Sequence, residues 1–180
     1  EKAIAKIAGE DQIALAVEMG AAGLFGESLA GLAVYSPKSG AQFFDLAKLS
    51  KIDLKKFWDA ATPILENEKI KKIGHDLKRE AALLAPIAIG GIRLAGLDFD
   101  VMIAAYLLSS GTRSPDLESI VLQEFGEELK PESAEYAQNK IKRVWDLKTA
   151  LGPRLAEAGM AQLFRDIEMP LVPVLAAMEK

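Results

Sequence analysis

The first quarter of the chain places short apolar runs between turn signals, and the rest is dominated by helical periodicity. Gln12–Val17 (QIALAV) and Leu29–Tyr35 (LAGLAVY) have the length and composition of buried strands, and Gln42–Leu46 (QFFDL) reads as a third. Ser36-Pro37-Lys38-Ser39-Gly40 is a tight-turn signal, so these strands predict an antiparallel meander. The period then changes. Leu54, Phe57, Trp58, Ala61 and Leu65 recur at helical spacing behind Asp53, a candidate N-cap. Lys69–Ile73 (KIKKI) alternates and stops at Gly74, which predicts a fourth strand.

Helices are predicted from there on. Leu77–Leu84 is stopped by Pro86, and Phe99–Leu108 starts near Asp98 or Asp100. Ser114-Pro115-Asp116 caps a helix from Leu117 to Phe125. Pro131 opens a long helix through Leu151, ended by Gly152-Pro153. A last helix runs from about Ala156, with a fresh start or kink at Pro170 and Pro173. Three strands, a helix, a strand and then helices alone make an α/β fold with a mixed sheet, in one domain.

Composition narrows the chemistry. With 180 residues and half of them apolar, the chain can bury a core without staples. The absence of cysteine excludes disulfides, thiolate metal sites and a thiol nucleophile. The one histidine, His75, excludes a His-rich metal cluster; as a general base it competes with its plainer reading as a solvated loop residue. A net charge of −4 argues against a nucleic-acid-binding surface over the whole chain but leaves room for a local one. Gly20, Gly23 and Gly26 lack the spacing and the Lys-Ser/Thr of a phosphate-cradling loop. No apolar run is long enough to span a bilayer and no signal-peptide pattern is visible, so no membrane partner is expected. The chain opens without a methionine and stops within an apolar periodic stretch, as a piece of a longer protein would.

Three segments carry a resemblance. Lys72-Ile73-Gly74-His75-Asp76-Leu77-Lys78-Arg79-Glu80 resembles the second motif, K-(V/I)-G-x-N-x-K-(Y/F)-D, of the 3′–5′ exonuclease domain of bacterial (family A) DNA polymerase I. Leu97–Leu108 resembles that family's F-D-T-M-x-x-x-Y-(I/L)-L helix. Ile167–Leu175 (IEMPLVPVL) is similar to the segment that leads into the polymerase domain. The resemblance implies a ribonuclease-H-like fold of the DEDD exonuclease type. Active members hold magnesium or manganese on four carboxylates: an Asp-x-Glu on the first strand, the aspartate closing the second motif, and a Tyr-x-x-x-Asp on a late helix. Two metals divide the work, one generating hydroxide and one stabilising the leaving oxygen.

Carried over residue by residue, that pattern is broken. Ala16 replaces the first aspartate and Glu18 is kept. Glu80 replaces the second-motif aspartate. Tyr136 is kept and Lys140 replaces the last aspartate. Asp76 and Arg79 also depart from the motif, and the segment from Gly111 to Glu135 is shortened. A methyl cannot coordinate a metal, and an ammonium repels one by roughly 4 kcal/mol per charge pair at about 4 Å and an effective dielectric near 20. The expected domain is therefore vestigial. It holds no metal, Glu18 and Glu80 are remnants with one or both paired to Lys140, and Tyr136 packs at the cleft rim. Its role would be structural support for the polymerase domain of the same parent chain in DNA replication and repair, with a bacterial, cytoplasmic and nucleoid-associated setting implied by the resemblance. Alternatives are a weak exonuclease using Glu18, Glu80 and Asp76 with one metal, and a free-standing protein-interaction module. Lys69, Lys71, Lys72, Lys78 and Arg79, with Lys140, Lys142 and Arg143, would flank the old cleft, and Lys72, Lys78, Arg79, Lys142 and Arg143 are candidates for weak contacts to DNA.

Overall fold

The computed structural model describes residues 2–20, 29–87, 91–109, 116–131 and 135–178. The glycine-rich stretch from 21 to 28 and, in the shortened segment, residues 111–115 (with Ser114-Pro115) and 132–134 lie outside them. The predicted meander is present: β1 (Gln12–Met19), β2 (Leu29–Ser36) and β3 (Gly40–Asp45) pair antiparallel, with Ala16 opposite Ala33 and Val34 opposite Gln42. β4 (Lys71–Gly74) joins β1 in parallel, and β5 (Leu97–Asp100) joins β4 in parallel. The sheet order is β3-β2-β1-β4-β5.

Side chains alternate across a strand, so β1 divides its residues between two layers. Ile13, with Leu32, Val34 and Phe44, faces Ile4 and Ile7 of α1 (Lys2–Ile7) and Phe57, Ala61, Ile64 and Leu65 of α2 (Lys51–Leu65). Ala14, Ala16 and Glu18 belong to the opposite face, which is covered by α6 (Tyr136–Glu157). Ile141, Val144, Leu147, Leu151 and Leu155 form the buried stripe of α6, and Trp145 stacks at 5.7 Å on Tyr35. α3 (Leu77–Leu84), α4 (Val101–Leu108) and α5 (Leu117–Phe125) precede α6 in the chain.

Several boundaries differ from those read off the sequence. Ser50, not Asp53, caps α2, its hydroxyl accepting from the Asp53 amide at 3.2 Å. The long helix starts at Tyr136 rather than Pro131 and runs through Gly152-Pro153 to Glu157. An interior proline costs about 3 kcal/mol, but Leu151 and Leu155 on the buried face keep the helix seated across it. The helix stops at Ala158-Gly159, where Gly159 takes φ +70°. The chain resumes as α7 (Ala161–Leu163), passes through one π-turn (Phe164–Glu168) and continues as α8 (Met169–Met178). The π-turn bonds the Met169 amide to the Phe164 carbonyl, so Pro170 is met by a local widening rather than a new helix.

β5 and the helix after it hinge on Asp100. Its buried carboxylate accepts from the Met102 and Ile103 amides, at 2.9 and 3.4 Å, and so caps α4. The same carboxylate accepts from the Asp76 and Leu77 amides, at 3.1 and 2.6 Å, at the start of α3. One side chain thereby ties two helix N-termini together.

Candidate functional site

β1, α3 and α6 bring Ala16, Glu18, Glu80, Tyr136 and Lys140 close together. Ala16 and Glu18 share the α6 face of β1, and Ala16 is buried. Lys140, one turn into α6, places Nζ 3.0 Å from Glu18 Oε1, each side chain 20% exposed. Glu80, in the first turn of α3, is buried against β1 and accepts the Val17 amide at 2.6 Å through Oε2. β4 supports β1 only as far as the Ala14–Ile73 pair, and Glu80 supplies an acceptor to the strand beyond it. Burial pushes the Glu80 carboxyl up to about 8, against the pull of the Val17 amide and of the Lys140 and Arg79 charges, with Glu18 adding to the rise.

Tyr136 opens α6 half-buried, and its hydroxyl donates to Glu118 of α5 at 2.5 Å. Burial first, then the Glu118 bond, raises the phenol far above its ordinary range. The Lys140 ammonium lies 5.7 Å from the Tyr136 ring centroid. Asp76 takes a left-handed conformation, φ 57°, and its carboxylate caps α3 through the Arg79 amide at 3.2 Å. His75, in the β4–α3 turn, is half-buried rather than solvated.

The basic residues do not form one cationic surface. Lys72 is corrected: it is fully buried in β4, and its ammonium donates to the Asn67 carbonyl at 2.6 Å, so it cannot reach a nucleic acid strand. Burial, with help from the Lys71 charge, lowers its pKa to about 8. Arg143 is held between Glu127 and Asp146, and Lys142 lies 3.7 Å from Asp146. Lys78 is half-buried and Arg79 exposed. Glu118, Asn67 and Asp100 are the partners that sequence reading missed. Asp100 alone left a signal, as an acid at a helix start, and the other two are matched to their partners only by tertiary packing.

The donor set does not fit a pair of catalytic metals. A methyl stands at one position, an ammonium at another already lies on a carboxylate, and Glu80 is committed to a backbone amide. Among the described residues no group of three or more Asp, Glu, His or Cys side chains is placed to hold a metal ion. No helix among the described residues is long and apolar enough to cross a membrane.

A mixed sheet in this order, with a strand-borne acid facing a late helix, defines a ribonuclease-H-like domain of the exonuclease type. Solved structures agree on the fold. The POL domain of Pol1 from M. smegmatis, in complex with DNA primer-template and dNTP, matches with a TM-score of 0.79 and 24% identity, over 98% of this chain and 30% of that one. Escherichia coli RNase D, an exoribonuclease, matches with a TM-score of 0.75 and 16% identity, over 97% of this chain and 47% of that one. The DNA polymerase I, ribonuclease H-like domain family matches residues 15–151, and the chain belongs to it as a 3′–5′ exonuclease-like domain of a family A polymerase. DNA polymerase I of Pseudomonas aeruginosa is 32% identical over 146 residues, 67% of this chain. The aligned part spans only 15% of that relative's length.

Proposed function

We propose that this domain does not hydrolyse DNA and serves as a structural element of a DNA polymerase I, packed against polymerase residues of the same parent chain. The observation that carries this reading is the Lys140 ammonium 3.0 Å from Glu18, at the position where the family's pattern has a metal-binding aspartate. Ala16 removes a second ligand, and the alternative one-metal set is weakened because Asp76 and Glu80 are both engaged with backbone amides.

The packing role is supported by α8, which is apolar all round. Met169, Val172 and Ala176 face inward, while Leu171, Val174, Leu175 and Met178, continued by Ile167 of the π-turn, form an outer stripe exposed by 42% to 78%. A helix without a polar face is expected where both sides are covered. Burying one such side chain contributes roughly 1.5–3 kcal/mol, so a stripe of them makes a firm joint. Relatives several times longer than this match supply a candidate cover in the same polypeptide, which favours this reading over a free-standing interaction module. DNA would then be met mainly through the parent protein.

The test is a 3′-end degradation assay on single-stranded DNA with magnesium and with manganese. No release of mononucleotides above a mock-purified control is expected. Metal-dependent release that disappears in the Glu18→Ala variant would overturn the proposal.

A further inference from the structure

The charge balance of the pocket leads one step further, resting on the reading that the domain holds no catalytic metal pair. In the family pattern four carboxylates bring four negative charges, which two divalent cations cancel. Here Ala16 removes one charge and Lys140 reverses another, so that the two surviving carboxylates face two cations of the chain, Lys140 on Glu18 and both Lys140 and Arg79 near Glu80. The two departures complement each other. Ala16 lies two residues from Glu18 on the same strand face, and an aspartate there would bring a further negative charge toward an ammonium already engaged at 3.0 Å by Glu18.

We propose that Lys140 is the resident cation of this pocket, standing in place of the divalent ions, so that the site is neutralised by the chain itself and takes no stabilisation from metal in solution. The geometry around Lys140 suits a fixed charge rather than a solvated one. Its side chain is only 20% exposed, its ammonium lies 5.7 Å from the Tyr136 ring centroid, and the Tyr136 hydroxyl is in turn held by Glu118. Breaking the Lys140–Glu18 pair from one side leaves a half-buried carboxylate without compensation.

Thermal unfolding of the 180-residue chain, with and without manganese, tests this. Lys140→Met is expected to lower Tm by about 2–8 °C, for a loss on the order of 1–2 kcal/mol in a chain of this size. Manganese should restore part of that loss in the variant and leave the unaltered chain unchanged. Lys140→Arg should keep most of the stability, and Glu18→Gln with Lys140→Met should recover it without metal. An unchanged Tm in Lys140→Met, or an equal manganese response in both proteins, would overturn the proposal. If Lys140→Met does not fold, the double variant decides. A folded, metal-insensitive double variant supports a charge role, whereas an unfolded one assigns Lys140 to packing and ends the proposal. These readouts are separate from nuclease activity, so an inert domain with an unresponsive Lys140→Met variant would sink this inference alone.

Discussion

Two buried carboxyls flank the start of α3, and they are treated very differently. Asp100 receives four backbone amides, two from the α3 start and two from α4. Glu80 receives one, from Val17. Burial raises both groups above the usual carboxylate range, but for Asp100 the opposing amides of Leu77, Asp76 and Met102 share the work that Val17 alone does for Glu80. A carboxyl that serves the fold is surrounded by donors that the fold must satisfy anyway. Glu80, at a position where the family pattern has a metal-binding aspartate, depends instead on one strand amide and on the Lys140 and Arg79 charges beside it.

The contrast breaks most visibly at Asp100. Asp100→Ala leaves the amides of two helix starts without their acceptor, several of them shielded from water. Each lost cap costs about 1 kcal/mol and each orphaned buried amide about 1–3 kcal/mol, so a combined loss of roughly 3–5 kcal/mol is expected in urea unfolding. A loss below about 1 kcal/mol would show that the double cap is not a support of the fold.

Glu80→Gln should act in the opposite direction. A folded-state pKa of about 8 against an ordinary 4.5 means that the folded chain holds this proton more tightly. The stability that comes with protonation is present below about pH 4.5 and is lost as pH rises through about 8. Glutamine keeps an oxygen for the Val17 amide and has no charge to gain. The variant should therefore overtake the unaltered chain between pH 5 and 8, by on the order of 2 kcal/mol at pH 8. Parallel stability profiles for the two proteins would remove the distinction between Glu80 and a well-satisfied acid.

How much of this was legible in sequence follows from the range of the forces involved. Short apolar runs and a turn signal predicted β1 to β3, because run length and turn chemistry are local. β5 was read as part of a helix, since Leu97–Asp100 is short and its apolar residues continue into α4. What makes it a strand is pairing with β4, 25 to 26 residues earlier. The end of α6 was placed at Gly152-Pro153, where local breakers stand, but burial of Leu151 and Leu155 outweighs them. At the site, the family resemblance assigned Ala16, Glu18, Glu80, Tyr136 and Lys140 to one cleft, and opposite charge predicted that Lys140 pairs with one or both glutamates; it pairs with Glu18. The burial of Lys72 was not visible, because a lysine beside Lys69 and Lys71 reads as surface until its register in β4 sends one side chain inward. Glu118 was equally hidden, as its pairing with Tyr136 depends on how α5 lies against α6.

The central claim is that this pocket no longer binds the catalytic metals, and manganese titration by calorimetry tests it most directly. The unaltered chain is compared with a variant carrying Ala16→Asp, Glu80→Asp and Lys140→Asp together, which rebuilds the family's carboxylate set on the same scaffold. The account predicts no saturable heat for the unaltered chain and saturable binding for the rebuilt one, once circular dichroism has shown that the variant is folded. Saturable binding by the unaltered chain, abolished by Glu18→Gln, would contradict it.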